Sequence, residues 1–250
     1  MSVESSLAGT VWRASQLAQN GVEALSSGFR ALDAELPGAG WPLGMLTELI
    51  AREPGIGELR LLVPLLRQVT REHRLAILLA PLHIPYAPAL KSFGIDPDCL
   101  LVVQAPNPAD RLWAVEQAIR SASFGALLAW LPQDRCRPEH LRRLQAAARG
   151  ARGPVFLFRQ LPAQFQPSPA PLRLLMLPSP DQQLSVQLLK RRGPVLARPI
   201  ILELPKPLLA IRLRASSRSP ELAKSASATS SSIGAPRGSQ RDVPWQPTLN

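Results

Sequence analysis

The chain has 250 residues, 46% of them hydrophobic, with a formal net charge of +11. That is length for one sizeable core, or a core plus a tail. The two cysteines, Cys99 and Cys136, form neither a disulfide framework nor a metal-ligand spacing and read as reduced thiols of a cytoplasmic protein. The segment Met1 to Gln19 lacks a basic start followed by an apolar run, and the longest apolar stretch, Leu75 to Ala80, is strand-sized. The expectation is therefore neither a targeting leader nor a membrane span.

Charge is uneven. Residues 1–50 hold 2 basic and 5 acidic side chains, residues 51–214 hold 23 and 11, and residues 215–250 hold 4 and 2. A basic fold attracts nucleic acid or acidic protein surfaces. Arginine far outnumbers lysine, which a GC-rich genome would also produce.

In chain order, Met45 to Ile50 reads as a strand. A helix follows from near Gly57 through Leu61, Leu62, Leu65, Leu66 and Val69, with Pro64 bending it. Leu75 to Ala80, Leu100 to Gln104, Ala126 to Leu131 and Val155 to Phe158 are continuous apolar runs. Such runs predict strands buried on both faces, as in a parallel sheet. Between them, Asn107-Pro108-Ala-Asp110 has the pattern of an N-cap, and Leu112, Val115, Ile119 and Ala122 recur at helical spacing. Another helix is predicted over Pro138 to Arg149, with Leu141, Leu144 and Ala148 inward. Strands alternating with helices imply βαβ units.

After Phe158 the helices stop. Leu172 to Leu177, Leu184 to Lys190, Ile200 to Leu204 and Leu208 to Leu213 read as antiparallel strands. From about Ala215 the serine-rich composition cannot offset its ordering entropy, so 215–250 reads as a disordered tail ending in the apolar patch Val243 to Pro247. The expected organisation is an N-terminal segment 1–24, a core 25–160, C-terminal antiparallel strands 161–214 of the same domain, and the tail.

The informative segment is Leu46 to Leu66, a strand, a glycine turn and a helix. A phosphate-binding P-loop needs G-x-x-x-x-G-K-[ST] there. This turn is Arg52-Glu53-Pro54-Gly55-Ile56-Gly57-Glu58-Leu59. Gly57 matches the second glycine, but Arg52 replaces the first, Glu58 the lysine and Leu59 the hydroxyl residue. A carboxylate about 4 Å from a phosphate charge is repelled by about 1–4 kcal/mol. On this segment alone, the bland reading is a strand–turn–helix with two glycines.

The surroundings extend the pattern. Ser26-Ser-Gly-Phe-Arg-Ala-Leu-Asp33, Gly38-Ala-Gly-Trp-Pro-Leu-Gly44 and His83-Ile-Pro-Tyr-Ala-Pro-Ala-Leu-Lys-Ser-Phe-Gly-Ile-Asp96 resemble the RecA ATPase core over residues 25–160. The resemblance implies an α/β fold with a mostly parallel twisted sheet flanked by helices and antiparallel strands added on the C-terminal side. It also implies lost hydrolysis. Leu82 stands at the catalytic glutamate and Trp130 at the metal-linked aspartate, beside Glu58 and Leu59. Water activation needs a base and a metal, so the expectation is a non-enzyme with no cofactor and no metal.

A further set of segments is similar to the ImuA family, a RecA-like and SulA-like group. They are Val11-Trp12-Arg13, Leu32 to Gly38, Gly40 to Gly44, Pro54 to Leu62, Ala80 to Pro88 and Leu188-Leu-Lys-Arg-Arg-Gly193. That resemblance implies an accessory role in damage-induced translesion synthesis, the SOS response. Its implied partners are an ImuB-type polymerase relative, an error-prone polymerase complex and RecA. The alternatives are a SulA-like inhibitor of cell-division filaments and a nucleotide-dependent, DNA-binding recombinase relative.

The candidate DNA- or partner-binding residues are Lys190, Arg191 and Arg192 at a strand end, and Arg142, Arg143 and Arg149 among arginines around one helix that also include Arg135, Arg137 and Arg152. The bland reading of both groups is solvated surface; non-specific DNA contact by them would be salt-dependent. His73, His83 and His140 have no companions at metal spacing, His83 reads as a loop residue, and Ser27, Ser92 and Ser123 lack a nucleophile signature.

Overall fold

The computed structural model describes residues 21–131, 136–193, 196 and 198–207. The segment with Trp12, Arg135, the strand expected at Leu208 to Leu213, and the tail lie outside them. A short ribbon opens the described chain, β1 (Ala24–Leu25) antiparallel to β2 (Trp41–Pro42). Between them α1 (Arg30–Asp33) begins at a turn closed by Asp33, whose carboxylate accepts Ser26 Oγ–H at 2.7 Å and the Ser27 N–H at 2.8 Å. The Ser-Gly-x-x-x-Leu-Asp pattern thus has a local structural reason.

The body is one eight-stranded sheet. In chain order its strands are β3 (Leu46–Ala51), β4 (Ala76–Leu79), β5 (Leu100–Val103), β6 (Ala126–Trp130), β7 (Val155–Gln160), β8 (Leu172–Ser179), β9 (Gln183–Lys190) and β10 (Ile200–Glu203). Their spatial order is β10-β9-β8-β3-β7-β6-β4-β5. Every pairing from β8 to β5 is parallel; β9 and β10 add antiparallel pairings at one edge. The fold is therefore mixed α/β with a large, mostly parallel sheet.

Helices cover both faces. α2 (Glu58–Leu61), α3 (Val63–Arg71) and α4 (Ala87–Ser92) share one core with Leu49, Leu78, Leu128 and Phe156. α5 (Pro108–Ser121) and α6 (Pro138–Ala148) share the other with Leu46, Leu79, Leu127 and Leu157. Adjacent residues of β7 point to opposite cores, as a strand's period of two requires. Trp41 meets Phe156 edge-on at 5.1 Å in the first core.

Several expectations change. The single helix bent at Pro64 is two helices, broken at Leu62, because a proline cannot donate the N–H that would carry the helix across. Asn107 precedes α5 in extended conformation but does not cap it; its amide donates to Asp110 Oδ2 at 2.8 Å. β5 is not buried on both faces. It is the sheet edge, so Leu101 and Val102 stay exposed. β8 is not antiparallel to the core but pairs parallel with β3. The chain crosses from β7 to β8 through a short 3-10 turn, Leu161–Phe165, and an extended stretch, so the missing helix did not mean a hairpin.

Candidate functional site

The carboxyl ends of β3, β4, β6 and β7 open into a cleft, the usual place for a ligand in a parallel sheet. Its volume is 180 Å³ where Arg52, Glu58, Leu82, Trp130 and Arg159 line it, and 250 Å³ in an adjoining part lined by Gly55, Leu59, His83 and Ile84. The structure thus brings together Arg52, Gly55, Glu58, Leu59, Leu82 and Trp130, which are spread over nearly eighty residues of sequence.

The glycine turn is occupied by its own chain. Both carboxylate oxygens of Glu58 accept the Gly55 N–H, at 2.9 and 3.0 Å, and Oε2 accepts the Gly57 N–H at 3.2 Å. These are the N–H groups that a P-loop turns toward phosphate. Gly57 has φ +100°, and a Cβ there would lie 2.4 Å from Leu204 Cδ1. Arg60 then ties α2 to the segment after β10, donating to Pro205 O at 2.8 and 3.0 Å. The turn is held by Glu58, and residues 204–205 pack against Gly57 and bind Arg60.

Beside the turn, Trp130 stacks on Phe158 with ring centroids 4.4 Å apart. The loop 81–86 presents Leu82, Ile84 and Tyr86 outward, 56%, 78% and 71% exposed. Three large apolar side chains thus stand exposed in one loop. Composition alone could not separate this loop from a buried one.

Beneath the cleft lies a network the sequence reading missed. Glu48, in the middle of β3, is fully buried. It accepts Arg173 Nε–H at 2.6 Å and Ser168 Oγ–H at 2.8 Å, and pairs with Arg159 at 3.4 Å. Glu48 and Arg173 are opposite residues in the β3–β8 register. The available signal was one charge in each of three apolar runs. Cys136 lies close to this network, and burial pushes its thiol pKa up, opposed by Arg159 and reinforced by Glu48.

The basic candidates divide onto separate elements. Lys190 donates to Ser168 O at 2.8 Å. Arg191 is mostly buried and ion-paired with Glu35 at 2.5 Å, so it joins the end of β9 to the turn after α1 instead of presenting a free cation. These residues begin the β9–β10 connection, with Arg192 exposed. On α6, Arg142 faces Glu139 at 3.8 Å and Arg143 binds Glu116 at 2.5 Å, while Arg149 is exposed at the helix end. No cluster of three or more His, Cys, Asp or Glu placed to hold a metal occurs among the described residues. No helix among them is long and apolar enough to cross a membrane.

Fold and site together define an α/β protein with a strand–glycine turn–helix cleft whose backbone donors are filled by its own carboxylate. Residues 44–153, less than half of the chain, match the family model described as cell division inhibitor SulA. Among curated relatives of that name, the protein of Pectobacterium carotovorum subsp. carotovorum strain PC1 is 27% identical over 107 residues, which cover 43% of this chain and 64% of that protein. The Edwardsiella piscicida protein is 31% identical over 90 residues, 36% of this chain and 53% of that protein. The Yersinia pestis strain Pestoides F protein is 26% identical over 118 residues, 47% and 69% respectively. The chain thus spans less than two thirds of the Pectobacterium relative's length.

These matches overturn the expectation of a translesion-synthesis adaptor. An ImuB-type protein, an error-prone polymerase complex, RecA and non-specific DNA are withdrawn as partners, because the similarity points to a division inhibitor. The physical reason is that one strand–turn–helix skeleton serves unrelated functions, so its altered turn did not discriminate between them.

Proposed function

We propose that this chain is a non-enzymatic, SulA-like inhibitor of cell division, acting in the cytoplasm as part of a damage response by binding a component of the division filament. The observation that carries the reading is the match over residues 44–153, which contains both the filled glycine turn and the exposed loop 81–86. In this reading the core is RecA-like, as the ImuA resemblance also suggested, and has exchanged hydrolysis for binding. Glu58 replaces a bound phosphate, Leu59 and Trp130 replace metal-side groups, and Leu82, Ile84 and Tyr86 form the docking surface. Residues 25–160 and 161–214 serve as one domain, with 1–24 and 215–250 as appendages. Arg142, Arg149, Lys190 and Arg192 are assigned at most a peripheral contact with the partner.

The test is induced expression in a rod-shaped bacterium, with cell length and septa scored by microscopy. Long, aseptate filaments are the expected result. Cells of normal length containing full-length soluble protein would remove the reading.

A further inference from the structure

We infer that the groove between α5 and α6 is a second docking site, shaped for an acidic peptide segment of a protein partner with an aromatic or aliphatic anchor. The inference rests on this groove alone and is independent of the division reading.

The groove measures 640 Å³, within the range of sites that hold a compact ligand. Leu112 and Trp113 form its apolar wall on α5. Trp113 is 64% exposed, and a tryptophan left open beside a cavity is the kind of side chain that anchors interfaces. The core needs neither its ring nor its N–H, because Val115 and Ile119 already fix α5 to the sheet.

The polar rim is made of donors. His140 Nδ1 accepts the Arg137 N–H at 3.2 Å, so the proton of the neutral ring sits on Nε2. Arg137 and Arg143 are exposed beside it. Among the described lining residues Glu116 is the one acid, and it is buried and already shared between Arg120 at 2.9 Å and Arg143 at 2.5 Å. Among the described residues, positive charge is therefore in excess at the rim. A ligand complementary to it brings carboxylates for Arg137, Arg143 and His140 and an apolar side chain for Trp113. A peptide can seat one apolar side chain against Leu112 and Trp113 and keep its carboxylates at the rim, whereas a phosphodiester strand carries a charge on every unit and would set some of them against that apolar wall. That asymmetry favours peptide over single-stranded nucleic acid.

The experiment is selection of displayed random peptides on the full chain, followed by fluorescence anisotropy with the leading peptide. The expected enrichment is Asp or Glu flanking Leu, Phe or Trp. The Kd should weaken by about tenfold in Trp113→Ala, the loss of one anchor, and by a similar factor in Arg137→Glu, with circular dichroism unchanged since both side chains are exposed. Any of four results overturns the inference: no enrichment, enrichment of basic or uncharged peptides, unchanged Kd in both variants, or displacement of the peptide by oligo-dT at lower concentration than by unlabelled peptide.

Discussion

Glu58 turns its carboxylate back onto the Gly55 N–H, with both oxygens within 3.0 Å. A residue that looked like a repulsive substitution in a phosphate loop is thus an internal ligand of that loop. Charge-assisted bonds of this kind are worth about 1.5–3 kcal/mol when shielded, and less for a partly exposed turn. Glu58→Ala is expected to lower stability by about 1 kcal/mol, measured as a shift in the urea midpoint. Glu58→Gln should recover part of it, because one amide oxygen can still accept. If Glu58→Ala were neutral, the turn would not depend on its carboxylate.

Gly57 tests the same turn from the other side. Its φ of +100° strains any L side chain, and a Cβ there would require the Leu204 Cδ1 methyl to shift. Gly57→Ala should destabilise by about 1–3 kcal/mol through backbone strain alone, with more from displacing Leu204. The double change Gly57→Ala with Leu204→Ala should not restore stability, because the backbone strain persists and a buried leucine is lost. Thermal unfolding of the two variants reads this directly.

The buried Glu48 group makes a sharper demand. Removing one member leaves an uncompensated charge, which costs about 3–5 kcal/mol. Glu48→Ala, which strands Arg173 and Arg159, is expected near that figure by chemical denaturation. Glu48→Ala combined with Arg173→Met should be less destabilised than Glu48→Ala alone. Equal values would show that a stranded Arg173 does not account for the loss.

Cys136 provides the pH-dependent prediction. Burial raises its pKa, so the fold favours the neutral thiol. Its contribution to stability is complete below the unfolded thiol value and declines as pH rises from there toward the folded value. Native alkylation with iodoacetamide should label half-buried Cys99 ahead of buried Cys136, and Cys136→Ser should flatten the alkaline fall in stability. Faster labelling of Cys136 would contradict its placement.

How much of this was legible in sequence depends on where a residue's partners lie. The runs containing Leu78, Leu128 and Leu157 announce parallel strands because both of their faces are covered, and α6 follows from Leu141, Leu144 and Ala148. Local pattern suffices for such elements. It does not suffice for β8, whose direction depends on a crossover without a helix. Nor does it suffice for Glu48, whose arginines stand 111 and 125 residues away. Arg191 looked like a free cation because its partner, Glu35, is 156 residues away. In the cleft, Glu58, Leu82 and Trp130 stood out only against the expected ATPase pattern. The carboxylate folded into the turn and the exposed apolar loop were not legible, because both depend on how the chain packs.

The most direct test of the central claim compares cell lengths after induction of the wild-type chain, of Ile84→Asp with Tyr86→Asp, and of Arg149→Glu as a remote surface control. All of these positions are exposed, so the variants should accumulate as folded protein. The account predicts filaments with the wild type and the control and near-normal lengths with the loop variant. Filaments of equal length in all three strains would contradict the docking surface, and no filaments in any would contradict division inhibition itself.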